Sequence, residues 1–340
     1  MQAIVLVGGE GTRLRPLTFG TPKPMVPIMN VPFLAITLER LHEAGIRDVI
    51  LPAGYMPQAI TDYFGDGSRV GMNITYVIED EPLGTAGAIK NVEQYIKGPF
   101  FVLNGDVLTS LDLKAMVAFH NEKGGLGVLH LIKAEDPSAF GCVVSDGNGR
   151  ILQFVEKPPK GTEPTNEVNA GTYLLEKDVL AMIPPGRNVS IERETFPKIL
   201  GGDRPLYAFT TDDYWIDLGR PEHYLNAHRD ILSGKMPLTH THIGDGVIID
   251  QSATIGPNVV LGAGCRIGAN ALVRDSVLWE NVVIEDGAHI EEAIIATGAR
   301  IGRGVHVGRG SVIGHDVRIE AGTKLPEDSR VGPTTPVAAG

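Results

Sequence analysis

The chain has 340 residues, 43% of them hydrophobic, and a formal net charge of -11. That length predicts two domains with enough apolar content to bury both, and the acidic balance excludes broad contact with nucleic acid or an anionic membrane, leaving phosphate recognition to a local basic patch. The only cysteines, Cys142 and Cys265, form no CxxC or Cys/His cluster, which excludes a disulfide framework and a structural zinc site and fits a reducing cytoplasm.

From residue 1 to 235, short β-branched runs alternate with helical patterns. The spacing predicts strands over 3–7, 49–52, 74–78 and 100–103, with helices over 33–44, 86–96 and 114–120 between them. Such alternation makes an α/β domain with a mostly parallel, helix-covered sheet. After Gly127 the pattern turns to strand pairs, with 142–144 and 151–155 joined by Asp146-Gly147-Asn148-Gly149, a hairpin signal. A helix over 222–232 ends in Ser233-Gly234-Lys235-Met236-Pro237, which sets an expected boundary between domains 1–235 and 236–340. No signal-type apolar region opens the chain, and no run approaches the length of a membrane span.

Beyond Thr241 aliphatic residues recur every six positions, at Ile243, Ile249, Ile255, Leu261, Ile267 and Val273, with Trp279 at the next place. The register slips by one, resumes at Ile284 and Ile290, slips again and continues from Ile295 to Val331. A small or β-branched residue stands two positions before each, including Cys265, Ala271, Val277, Ala288 and Ala299. Coils of three short strands bury an aliphatic layer when the neighbouring inward position is small, so the second domain is expected to be a parallel β-helix. His240 and His242 alternate on a strand but lack a third ligand and are expected at the surface.

Chemistry concentrates in a few motifs. Leu6-Val7-Gly8-Gly9-Glu10-Gly11-Thr12-Arg13 follows the first strand, and Pro22-Lys23-Pro24 follows it. The glycines let backbone N–H groups approach phosphate, and the spacing sets two cations, Arg13 and Lys23, beside a triphosphate without an acidic counter-residue. The loop is neither a Walker A motif nor a dinucleotide fingerprint. Arg15 fits a structural ion pair as well as a phosphate contact. Asn104-Gly105-Asp106 ends a strand at the sheet edge where α/β folds bind ligands, so Asp106 is a metal-ligand candidate.

With these motifs the whole chain resembles the sugar-1-phosphate nucleotidyltransferases, most closely their mannose-1-phosphate guanylyltransferase branch. The resemblance implies a Rossmann-like catalytic domain with a mixed sheet, followed by a left-handed β-helix. It implies that Arg13 and Lys23 bind the triphosphate, and that Asp106 and Asp217 of Tyr214-Trp215-Ile216-Asp217 hold one Mg2+. Glu156-Lys157, Gly141 and Asn169 match the family's sugar-phosphate pocket, and Val189-Ser190-Ile191-Glu192-Arg193-Glu194 matches without a mechanism for its charges. The nucleotide side is expected to use Leu6, Gly8, Gly9, Gly11, Thr12, Glu79, Gly84 and Thr85. A carboxylate accepts from both guanine N1–H and the exocyclic amine, so Glu79 favours GTP over UTP or dTTP. The expected reaction joins GTP and mannose 1-phosphate in a homo-oligomer assembled through the β-helix. Glucose-1-phosphate uridylyl or thymidylyl transfer, acyl transfer by His289, His306 or His315, and a non-catalytic regulatory role are the competing readings.

Overall fold

The computed structural model describes residues 1–238 and 240–333; Thr239 and residues 334–340 of the expected second domain lie outside the described residues. The apolar runs of the first 210 residues become β1 (Gln2–Leu6), β2 (Asp48–Ala53), β3 (Asn73–Ile78), β4 (Phe100–Asn104), β5 (Gly127–Lys133), β6 (Gly141–Ser145), β7 (Ile151–Glu156), β8 (Glu167–Leu175) and β9 (Leu206–Thr210). They form one nine-stranded sheet in which β4, β1, β2 and β3 are parallel neighbours. β8 pairs antiparallel with β4, β5 and β6, and so turns the sheet from parallel to mixed. The helices are α1 (Phe33–Glu43), α2 (Pro57–Phe64), α3 (Gly84–Asn91), α4 (Leu113–Lys123), α5 (Phe196–Leu200) and α6 (Pro221–Leu232).

The hairpin forms as its turn signal predicts: Asp146 Oδ1 accepts from Asn148 N–H at 2.8 Å and Arg150 N–H at 3.0 Å, and Gly149 takes φ 79°. The helix expected over 86–96 starts two residues earlier and ends at Asn91, with a separate 3-10 turn at Glu93–Tyr95. Asn91 and the β-branched Val92 are poor helix formers, which explains the break. β5 and most of β8 are buried on both faces, so they show no alternation for a sequence pattern to detect.

The repeats form three five-stranded parallel sheets, the faces of a β-helix. Ile267, Ile284, Ile301 and Ile319 stack on one face, and Val273, Ile290 and Val307 on another. The third carries Leu261, Leu278, Ile295, Ile313 and Val331, which corrects the expected register. Leu278, not Trp279, takes the inward place, and its small partner is Ser276 rather than Val277. The two slips are turns one residue shorter than the rest, carried at Asp275 (φ 49°) and Glu292 (φ 51°).

The chain packs as two units, 1–9 with 34–215 and 10–33 with 216–340. Residues 10–33 and α6 therefore pack with the coils.

Candidate active site

In the first unit, the backbone beyond β1 runs close to the neighbouring strand ends. Gly105 N–H donates to the Leu6 carbonyl at 3.0 Å, and a Cβ on Gly105 would sit 2.4 Å from that oxygen. Only glycine fits there, and the contact fixes where Asp106 begins. Leu6, Gly8, Gly9, Pro52, Glu79, Pro82, Leu83, Gly84, Thr85 and Ala88 enclose a cavity of about 270 Å3. Of the expected nucleotide residues of this unit, Leu6, Gly8, Gly9, Glu79, Gly84 and Thr85 line this cavity, while Asp106 is not among its lining residues. A Cβ on Gly8 would approach Glu79 Oε2 to 3.3 Å. Glu79 Oε1 is buried with no hydrogen-bond partner among the described residues, and burial pushes its carboxyl above the usual range.

The segment 187–194 closes over the start of α3. A Cβ on Gly84 (φ 68°) would lie 2.7 Å from the Val189 carbonyl, and that carbonyl accepts from Ala86 N–H at 2.9 Å. Glu192 receives hydrogen bonds from Thr85 Oγ1 (2.8 Å), Ser190 Oγ (2.7 Å) and the Tyr173 hydroxyl (3.4 Å). Tyr173 in turn accepts from Asn169 Nδ2 at 2.8 Å, and Asn169 Oδ1 accepts from Gly171 N–H at 3.0 Å. The motif whose charges had no assigned purpose therefore braces Thr85 and Asn169 through one carboxylate. Tyr173 is fully buried, and desolvation followed by the Glu192 charge holds its phenol well above the usual range, so it stays a neutral relay.

At the end of β7, Glu156 Oε1 lies 3.8 Å from Lys157 Nζ; the Lys157 side chain is 59% exposed and that of Glu156 16%. Lys157 takes φ 49° and its N–H donates to the Phe140 carbonyl at 3.0 Å. Gly141 is needed beside them because a Cβ would come within 2.7 Å of Glu156 Oε2. Burial raises the Glu156 carboxyl above its ordinary range, Glu192 adds to the rise, and Lys157 and Arg193 oppose it. Trp215, outside the expected set, donates from Nε1 to the Ala170 carbonyl at 2.9 Å and packs edge-on against Phe140 at 5.2 Å.

In the second unit, Gly11 (φ 62°) opens the 3-10 turn Thr12–Leu14 and leaves room for Lys23, whose Cβ would be 3.1 Å from a Cβ on Gly11. Arg13 NH1 lies 3.9 Å from Asp217 Oδ2, which corrects the expectation of a cation without an acidic counter-residue. The two come from sequence segments 204 residues apart, 217 less 13, which pattern reading cannot join. Gly219 accommodates the pair, since a Cβ there would be 2.6 Å from Arg13 NH2. Arg15 pairs with Glu10 at 2.9 Å, both side chains being exposed. Of the three histidines considered for acyl transfer, His289 and His306 are exposed and meet edge-on with ring centres 4.6 Å apart, while His315 is bonded to the Leu17 carbonyl at 2.9 Å.

Comparison with known proteins places the chain in a family. A family model described as nucleotidyl transferase matches residues 2–234, and one described as the EIF2B subunit epsilon LbH domain matches 222–325. The chain is 42% identical over 265 residues to the mannose-1-phosphate guanylyltransferase of Mycobacterium tuberculosis, covering 77% of this chain and 73% of that protein. It is 40% identical over 273 residues to mannose-1-phosphate guanylyltransferase 1 of Arabidopsis thaliana, covering 77% and 74%. The solved structure of HddC from Yersinia pseudotuberculosis complexed with GMP-PN aligns with TM-score 0.57 at 34% identity, over 66% of this chain and 97% of that one. No helix among the described residues is long and apolar enough to cross a membrane. The mixed sheet with its glycine-rich first turn and the left-handed β-helix that follows match these families, and the chain belongs to the nucleotidyl transferase family.

Proposed function

We propose that the protein transfers the guanylyl group of GTP to mannose 1-phosphate and releases pyrophosphate. The observation that carries the base assignment is the buried, unpartnered Glu79 Oε1 on the wall of the 270 Å3 cavity. A buried acceptor without a donor is costly, and guanine offers two adjacent donors that would repay it. A sugar-phosphate oxygen is already anionic and attacks the α-phosphorus in line, so no protein nucleophile is required. Lys157 aligns the sugar phosphate, while Arg13 and Lys23 neutralise charge on the triphosphate and the departing pyrophosphate. Glu156 and Asn169 face the sugar, and Gly11 and Thr12 supply backbone to the phosphates.

Asp106 and Asp217 are both part-buried carboxylates. Hard oxygen donors of this kind, with phosphate and water, suit Mg2+, and each of the two carboxylates is a candidate ligand in its own unit. When bound, the ion supplies Lewis-acid neutralisation of phosphate charge. Two free, buried thiols support a reducing cytoplasm, and the exposed Ile243, Ile248 and Ile249 of the first coil support assembly through the β-helix.

The test of the base is Glu79→Gln, expected to shift the GTP to UTP preference by at least about tenfold, since losing one charge-assisted bond costs about 1.5 kcal/mol or more. Because burial raises the folded carboxyl above its unfolded value, its ionisation costs stability as pH rises through the folded value. The glutamine variant should therefore melt no lower than wild type at neutral pH while using GTP worse. An unchanged nucleotide preference would remove Glu79 from base reading. Lys157→Ala is expected to raise KM for mannose 1-phosphate about tenfold or more with KM for GTP little changed, as loss of a charged bond to one substrate predicts. Steady-state kinetics with each substrate varied would show otherwise.

A further inference from the structure

Residues 10–33 carry Arg13 and Lys23 yet have little regular structure of their own. They contain three single 3-10 turns and a two-residue ribbon pairing Pro27–Ile28 with Val31–Pro32. Such a stretch keeps its cations in place only if outside groups hold it. Within the second unit those groups are coil residues and α6. His315 Nε2–H donates to the Leu17 carbonyl at 2.9 Å and lies 3.3 Å from Thr21 Oγ1. Gly20 makes room for the imidazole, since a Cβ would stand 3.0 Å from it. The Pro27 carbonyl accepts from the Tyr224 hydroxyl, which accepts from Trp279 Nε1–H at 3.0 Å. Met29 N–H donates to His228 Nε2 at 3.2 Å, and Asn30 Nδ2 donates to the Leu261 carbonyl at 3.1 Å.

These anchors fall on both sides of Lys23, and the first is four residues from Arg13. The coil sequence departs from its own pattern to provide them. On the face where Leu261, Leu278, Ile295 and Ile313 stack, the next residue is Gly262, Ala296 or Gly314 in three coils and Trp279 in the fourth. Gly314 leaves space for the loop, as a Cβ there would be 3.2 Å from Pro16 Cβ. Trp279 fills the space instead and turns its indole to Tyr224 and its ring edge to His315 at 5.4 Å. A β-helix that served only as a stacked spacer would have no use for a buried indole and an imidazole at this place, set against the phenol and imidazole of α6.

We propose that this face of the β-helix is part of the catalytic apparatus, with His315 and Trp279 acting as positioning residues that hold the Leu17–Pro27 stretch and through it Arg13 and Lys23. The inference rests on the assignment of those two cations to the triphosphate. It is tested in the full-length protein with His315→Ala, His315→Gln, Trp279→Phe and Arg13→Ala, measuring melting temperature, kcat and both KM values with GTP and mannose 1-phosphate. His315→Ala is expected to lower kcat/KM for GTP at least about tenfold, as misplacement of a phosphate-binding group by a fraction of an ångström to 1 Å does. KM for mannose 1-phosphate should stay within about twofold. His315→Gln, whose amide can still donate to Leu17, should recover most of the loss. Should His315→Ala fail to fold, Trp279→Phe, which keeps a ring and deletes only the indole donor, carries the same expectation. Wild-type kcat/KM for GTP in the folded variants, alongside an impaired Arg13→Ala, would overturn the positioning role alone, as would equal losses toward both substrates. An unimpaired Arg13→Ala would instead overturn the triphosphate assignment beneath it.

Discussion

Replacing Asp106 by asparagine is expected to lower kcat by about 100- to 1000-fold, the loss of roughly 2.7–4 kcal/mol that follows removal of one charge-stabilising group from an enclosed site. The substitution is clean because the backbone around it is fixed independently of the side chain. Gly105 N–H is bonded to the Leu6 carbonyl, and Leu6 is paired with Asn104 along β1 and β4. Asparagine keeps the shape and one oxygen but loses the charge. The melting temperature should therefore remain within a few degrees of wild type while turnover collapses, and near-normal turnover in the folded variant would end the proposal of Asp106 as a metal ligand.

Ile301→Asp should act in the opposite way, on stability. Ile301 is fully buried and stacked between Ile284 and Ile319 on the same face of the coil. An ionised carboxylate there has no partner, and uncompensated buried charges cost about 3–5 kcal/mol. The adjacent Arg300 points outward and is exposed, so Arg300→Ala should change stability by no more than about 0.5 kcal/mol. Chemical denaturation of the two variants measures the contrast. Equal stabilities would contradict the inward placement of the repeat residue.

Much of this organisation was legible from local pattern. The six-residue period, the hairpin at Asp146 and the parallel strands announce themselves because each is a relation between residues a few positions apart. The glycine-rich turn and Glu79 were legible for the same reason, each lying just beyond or at the end of a strand. The structure adds relations that no period carries. Glu192 reaches Thr85 across 107 positions, and Arg13 meets Asp217 across the length of the first unit's sequence. Trp279 misled by its hydrophobicity: an apolar residue at the sixth position satisfies the repeat, but its N–H needs a partner and finds one in Tyr224, while Leu278 goes inside. β5 and β8 escaped detection because strands buried on both faces lose the alternation that marks a strand.

The bond between His315 and the Leu17 carbonyl spans 298 residues. At a synthesis rate of about 5–20 residues per second, roughly 15–60 s pass between the emergence of the loop from the ribosome and the arrival of its anchor. The strands that complete the sheet are all made within that interval, whereas the cation-bearing loop waits for the coil that carries His315. A nascent chain can thus bring its sheet together while the loop that carries Arg13 and Lys23 still lacks its anchor, so the coils made late decide when the proposed triphosphate contacts are held in place.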